Sequence, residues 1–267
     1  MTSTPVTPDA QPTGRYVAAS EWRGVTAFLA TLGVFGVSAG VGIVVALGIE
    51  RLTGWAWFAL PQNVDHASAN GPYGFFLVSQ MGLQIVSVLL ILWIAGRYGA
   101  KRADVLALKP VEGGAWTYFK AFGVVLLVSM AYSWLVYAIA PDTILQDVKP
   151  YMGMLRSDAA WLLAVIVIIG APLSEELLFR GFLLSALAKT PLGFVGASII
   201  STGLWAVLHA QYSVAGLIAV FVLGLAFCWL LWRTGSLWVP IVCHGLYNAT
   251  VLLVVWGMAN GVVAVPN

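Results

Sequence analysis

An all-α, polytopic membrane protein of seven to eight transmembrane helices with an intramembrane polar site is the fold class this sequence predicts. Three observations predict it. The chain is 60% hydrophobic and only 9% charged. Its mean hydropathy is +0.91. Its apolar residues come in unbroken runs of about 20, the length needed to cross a bilayer as a helix. A soluble domain carries about 25% charged residues and could not cover itself with so few. A transmembrane barrel would show alternating segments of about ten residues instead. The net charge of +2 provides no electrostatic footprint for nucleic acid.

Taken in order, residues 1–23 are rich in Thr and Pro and poor in large apolar side chains, and read as a disordered tail. Apolar runs follow at about Val25 to Ile49, Gly74 to Gly96 and Tyr118 to Ala140. A longer run from Ala159 to Ala188 is interrupted by Pro172, Glu175, Glu176 and Arg180. Three more lie near Leu192 to His209, Val214 to Trp232 and Leu237 to Met258. These make seven spans, or eight if the interrupted run breaks at Gly170-Ala171-Pro172, since proline removes a helix hydrogen bond. The chain divides on this reading into the tail over 1–23, N-terminal transmembrane helices over 24–150, and a transmembrane core over 151–260 that holds the interrupted run.

Basic residues set the orientation. Arg15 and Arg23 precede the first span, Arg97, Lys101, Arg102, Lys109 and Lys120 cluster between the second and third, and Lys189 and Arg233 fall on the same side. The other side carries Arg51, Lys149 and Arg156. The N-terminus is expected in the cytoplasm and the protein in the plasma membrane. Trp55, Trp57, Trp93, Tyr98, Trp116, Trp161, Trp232 and Trp238 sit near run ends, as an interfacial aromatic belt does. Gly33, Gly36, Gly40 and Gly42 give the first helix a small face suited to close helix packing.

Ionisable groups inside apolar runs cost at least ~2.5–3.5 kcal/mol each on insertion scales, and so mark function by default. They concentrate in the second half, as Glu175-Glu176-x-x-x-Arg180, then Trp205-x-x-x-His209, then His244-x-x-x-Asn248. Four-residue spacing lets Glu176 pair with Arg180, and His244 with Asn248. Glu175 lies about 100° round the helix from Glu176. That leaves Glu175 available for proton transfer, with His209 and His244 to polarise or bind a water or a metal, and Asn248 to donate to a developing oxyanion. The plainer readings are a structural Glu-Arg bridge and a histidine satisfied between helices; six such groups over three successive runs favour chemistry. His66 falls in a polar loop and reads as solvated. Cys228 and Cys243 read as free buried thiols with no disulfide framework.

In these motifs the sequence resembles the CPBP intramembrane proteases, the type II CAAX prenyl endopeptidases and their bacterial relatives, some linked to bacteriocin processing or self-immunity. The flanking residues agree: Ala171-Pro172-Leu173-Ser174, Phe179-Arg180-Gly181 and Arg233-Thr234-Gly235-Ser236-Leu237-Trp238. The likeness covers about residues 159–250. It implies a glutamate-dependent endopeptidase acting on a membrane-associated protein or peptide, prenylated or not. Under the resemblance Glu175 matches the base that activates water and His209 its helper. His244 and Asn248 match the oxyanion-stabilising pair, while Glu176 and Arg180 complete the first motif. The resemblance is compatible with no cofactor or with a divalent metal such as zinc, for which Glu175, His209 and His244 are the available ligands. Where the second motif begins with Phe in the family, this chain has Trp205, expected to serve as aromatic packing. A proton- or metal-coupled transporter and a non-catalytic immunity or scaffold protein are the competing readings.

Overall fold

The computed structural model describes residues 16–53 and 71–263. His66, Trp55 and Trp57 lie outside these residues. The described chain is helical: α1 (Gly24–Thr53), α2 (Gly71–Ala95), the short α3 (Arg102–Val105), α4 (Gly114–Ile139), α5 (Pro141–Leu155), α6 (Ala160–Leu187), α7 (Gly193–Val207), α8 (Val214–Thr234) and α9 (Trp238–Ala259). Six of these are long and apolar enough to cross a membrane, namely α1, α2, α4, α6, α8 and α9. The seventh expected span, α7, is apolar but 15 residues long. Side chains such as Leu29, Val44, Trp116, Leu127, Trp134 and Trp161 are exposed on the outer faces, where lipid satisfies apolar surface that water would not. The protein is a multi-pass helical membrane protein.

Local chemistry sets the breaks. Pro141 opens α5 at its first position, where its missing N–H costs nothing. Ser213 caps α8 by accepting from the Gly216 N–H at 3.0 Å. Gly235 closes α8 in the left-handed conformation, φ 67°, with its N–H on the Leu231 carbonyl. α5 is amphipathic rather than spanning, and packs across α4, α6, α8 and α9.

Three expectations change here. The interrupted run is one helix, α6, and supplies no eighth span. It absorbs Pro172 by widening to π-helical turns at Ile166–Gly170 and again at Glu176–Leu183. In the first, the Ala171 N–H bonds the carbonyl of Ile166, five residues back. At that spacing Val167 is the carbonyl residue 172 would satisfy, and proline has no N–H to do it. Asn248 Nδ2 on α9 donates to it instead, at 2.8 Å, and Gln84 Nε2 on α2 donates to Ile166 O at 3.3 Å. A bilayer tolerates such a turn only when neighbouring helices satisfy the freed carbonyls.

Residues 16–23, expected to close a disordered tail, are instead ordered, and residues 1–15 lie outside the described residues. The Ser185 hydroxyl on α6 accepts from the Ala19 and Ser20 N–H groups at 3.2 Å, and Trp22 lies edge-on to Phe182, 5.3 Å between centroids. These bonds and the half-buried Trp22 ring hold residues 16–23 against the bundle. The division at 150/151 falls inside α5, and one apolar core joins Ala27 and Ile91 to Phe182 and Cys243, so the two transmembrane halves form a single packed unit.

The small face of α1 is used at one point. No atom lies near a Cβ built at Gly33, Gly36 or Gly40, whereas one at Gly42 would meet the Ser79 carbonyl, and one at Gly82 would come within 2.8 Å of Gly42 Cα. α1 and α2 therefore cross at Gly42 and Gly82. Cys228 and Cys243 are free and buried, as expected.

Candidate functional site

The two wide turns of α6 present its carboxylates to different surroundings. Glu175 lines a cavity of about 840 Å³ bordered by α1, α2, α4, α5, α6, α7, α8 and α9, together with His209, His244 and Asn248. Glu176 and Arg180 lie behind that wall, both fully buried. The expected i,i+4 pair is present, with Arg180 Nη1 donating to Glu176 Oε1 at 3.2 Å. The same oxygen accepts from His244 Nδ1 at 3.0 Å. Glu176 Oε2 and Arg180 Nε and Nη2 are buried without a hydrogen-bond partner. The Arg180 guanidinium instead lies over the Trp205 ring, 4.3 Å from its centroid, a cation–π contact strengthened by exclusion of water.

His244 and Asn248 do not pair with each other. His244 turns to Glu176 across the helix interface, and Asn248 turns to the Val167 carbonyl. Helical spacing allowed the pair, and the two charged and carbonyl acceptors on α6 outcompete it. Donation to a carboxylate puts the His244 proton on Nδ1, which leaves Nε2 for substrate or water. His209 is set likewise, its Nδ1 lying 3.1 Å from the Trp205 carbonyl, an acceptor only, so Nε2 is again the free nitrogen. Asn248 retains one N–H beyond the one it gives Val167. Close approach of α9 to α6 requires glycine at 245, since a Cβ there would come within 2.7 Å of the Ile168 carbonyl oxygen.

α5 closes one end of the cavity. Asp147 accepts from the Ser213 N–H and hydroxyl, each at 2.7 Å, and the Tyr151 and Tyr212 hydroxyls are 3.1 Å apart. Burial, with Tyr151 adjacent, pushes the Tyr212 phenol above its ordinary range, so it stays protonated at neutral pH. Asp147, Tyr151 and Tyr212 were not among the sequence candidates, because only tertiary packing brings α5 over the site. Trp205 was assigned to packing alone, yet its indole Nε1–H donates to Glu175 Oε2 at 2.6 Å.

Among the described residues no three His, Cys, Asp or Glu side chains converge as a metal-binding group. His244 Nδ1 is engaged by Glu176 and Glu175 Oε2 by Trp205. Those contacts leave Glu175 Oε1 and the Nε2 atoms of His209 and His244 as the atoms that would have to hold a divalent metal such as zinc.

Charged and imidazole groups gathered around a cavity within apolar helices define a membrane protein built to do polar work inside the bilayer. Residues 157–250, which hold Glu175, Glu176, Arg180, His209, His244 and Asn248, match the family model "Type II CAAX prenyl endopeptidase Rce1-like". The match covers about a third of the chain, and over that stretch the chain is similar to the CAAX prenyl endopeptidases. Over 92 residues it is also 32% identical to "Putative membrane peptidase YdiL" of Bacillus subtilis (strain 168), covering 34% of this chain and 36% of the relative. The chain thus spans about a third of that relative's length. No solved structure matches the chain.

Proposed function

We propose that the protein is an intramembrane endopeptidase in which Glu175 activates water to hydrolyse a peptide bond of a membrane-associated protein or peptide. The observation that carries the reading is the separation of the two adjacent glutamates. Glu176 is spent on Arg180 and His244 behind the wall, whereas Glu175 lines the cavity with only Oε2 bonded to protein. Glu175 Oε1 takes a proton from water as its oxygen attacks the scissile carbonyl carbon. His209 Nε2 orients that water. The oxyanion of the tetrahedral intermediate is met from the α9 side by the remaining Asn248 N–H, and by His244 Nε2 when that ring carries a proton on both nitrogens. Collapse breaks the C–N bond, and the proton held on Glu175 passes to the leaving amine. The apolar helices around the cavity keep the charges in a low-dielectric setting, where oriented donors act most strongly.

The family match and the membrane-peptidase relative support this reading. The test compares peptides in membranes of cells carrying wild-type protein or Glu175→Gln at matched abundance, by mass spectrometry. Products should vanish in the variant while its folding is retained, since loss of a general base costs roughly 10²–10⁴-fold. Full retention of the products in Glu175→Gln would overturn the assignment.

A further inference from the structure

We propose that Trp205 is a positioning residue that fixes which oxygen of Glu175 acts as the base; the inference rests on Glu175 having that role. A carboxylate on a terminal sp³–sp² torsion has a broad rotational preference and presents either oxygen unless something holds it. Here the hold is the indole Nε1–H on Oε2 at 2.6 Å, a short charge-assisted bond. It turns Oε1 toward the cavity.

The donor is itself rigid. Trp205 is 3% exposed, with the Arg180 guanidinium over one region of its ring and Phe227 against another, 6.3 Å between centroids. It makes T-shaped contacts with the His209 and His244 rings, 5.1 and 5.6 Å between centroids. Its main-chain carbonyl also receives the His209 Nδ1–H, which sets the tautomer of the second cavity group. One residue thereby orients a base and its helper through two different atoms. A continuous path of contacts runs from Glu176 through Arg180 and Trp205 to Glu175. This gives the fully buried ion pair a place in the site despite its distance from the cavity. Among the aromatic residues that fit this volume, phenylalanine keeps the ring contacts and lacks the donor.

Two measurements test the role. In detergent-solubilised protein labelled with ¹⁵N-tryptophan, the Trp205 indole resonance is assigned by its disappearance in Trp205→Phe. It is expected far downfield in wild type, and to move upfield in Glu175→Leu. An indole signal indifferent to Glu175→Leu would overturn the proposal without any reference to activity. The second measurement uses a quenched fluorogenic peptide spanning a cleavage site found in the membrane comparison above. Trp205→Phe should lower kcat roughly 10- to 100-fold, the span of a lost charged hydrogen bond, and leave KM within about twofold. Adding Trp205→Phe to Glu175→Gln should lower residual activity no further. A kcat for Trp205→Phe within about twofold of wild type, with Glu175→Gln inactive, would overturn the positioning role and leave the base standing. Cleavage surviving Glu175→Gln would instead remove the base, and with it the oxygen that Trp205 is proposed to position.

Discussion

Replacing Arg180 with methionine removes the cation of the buried pair while keeping most of its volume. The Glu176 carboxylate then keeps only His244 on Oε1, and its Oε2 already has no partner. Both partners are fully buried, so water does not enter to compensate. Breaking a buried pair from one side costs about 3–5 kcal/mol. At about 2–4 °C per kcal/mol for a chain of this size, Tm should fall by roughly 6–20 °C. Glu176→Gln added to Arg180→Met removes the uncompensated charge yet leaves an amide oxygen for His244. The double variant should therefore recover most of the loss, because replacing both charges is often near neutral. The protein carries its own reporters, since Cys228 and Cys243 are free and buried and react with a fluorogenic maleimide only on unfolding. A single variant that melts with wild type, or a double variant that melts no higher than the single one, would refute the reasoning.

Two further outcomes follow from the structure. Asn248→Ala should destabilise the protein by about 1–3 kcal/mol, by orphaning the Val167 carbonyl; Pro172→Ala in the same chain returns a backbone N–H at that turn, and should raise the melting temperature again in the maleimide assay. The end of the bundle that carries Arg97, Lys109, Lys189 and Arg233 is expected to face the cytoplasm, which puts the α5-covered cavity in the opposite half. In intact cells an impermeant maleimide should label Lys149→Cys and leave Lys109→Cys unlabelled, both positions being exposed; the reverse pattern would invert the topology.

Much of the site was legible because its signals are local. A Glu and an Arg four residues apart meet on any helix, so the Glu176–Arg180 pair could be read from spacing, as could the separation of Glu175 from its neighbour. Six of the spans could be read from apolar length alone. The His244–Asn248 pair failed on the same rule, since stronger acceptors reach both residues from α6, more than 60 positions away in the chain. Trp205 looked like packing because its donor acts only when α7 lies against the end of a widened α6 turn. Gln84, Asp147, Tyr151 and Tyr212 carried no motif.

The sequence by itself determined that this chain lives in a membrane, where six spanning helices run, and which few polar groups are sunk among them. Those properties follow from the cost of exposing backbone and charge to lipid, which composition and periodicity record residue by residue. Only the tertiary structure decided which donor holds the Glu175 carboxylate, which nitrogen of each histidine is free, and what satisfies the carbonyl beneath Pro172. Each depends on a donor or acceptor from another helix, and helical spacing within one segment contains no information about what its neighbours bring.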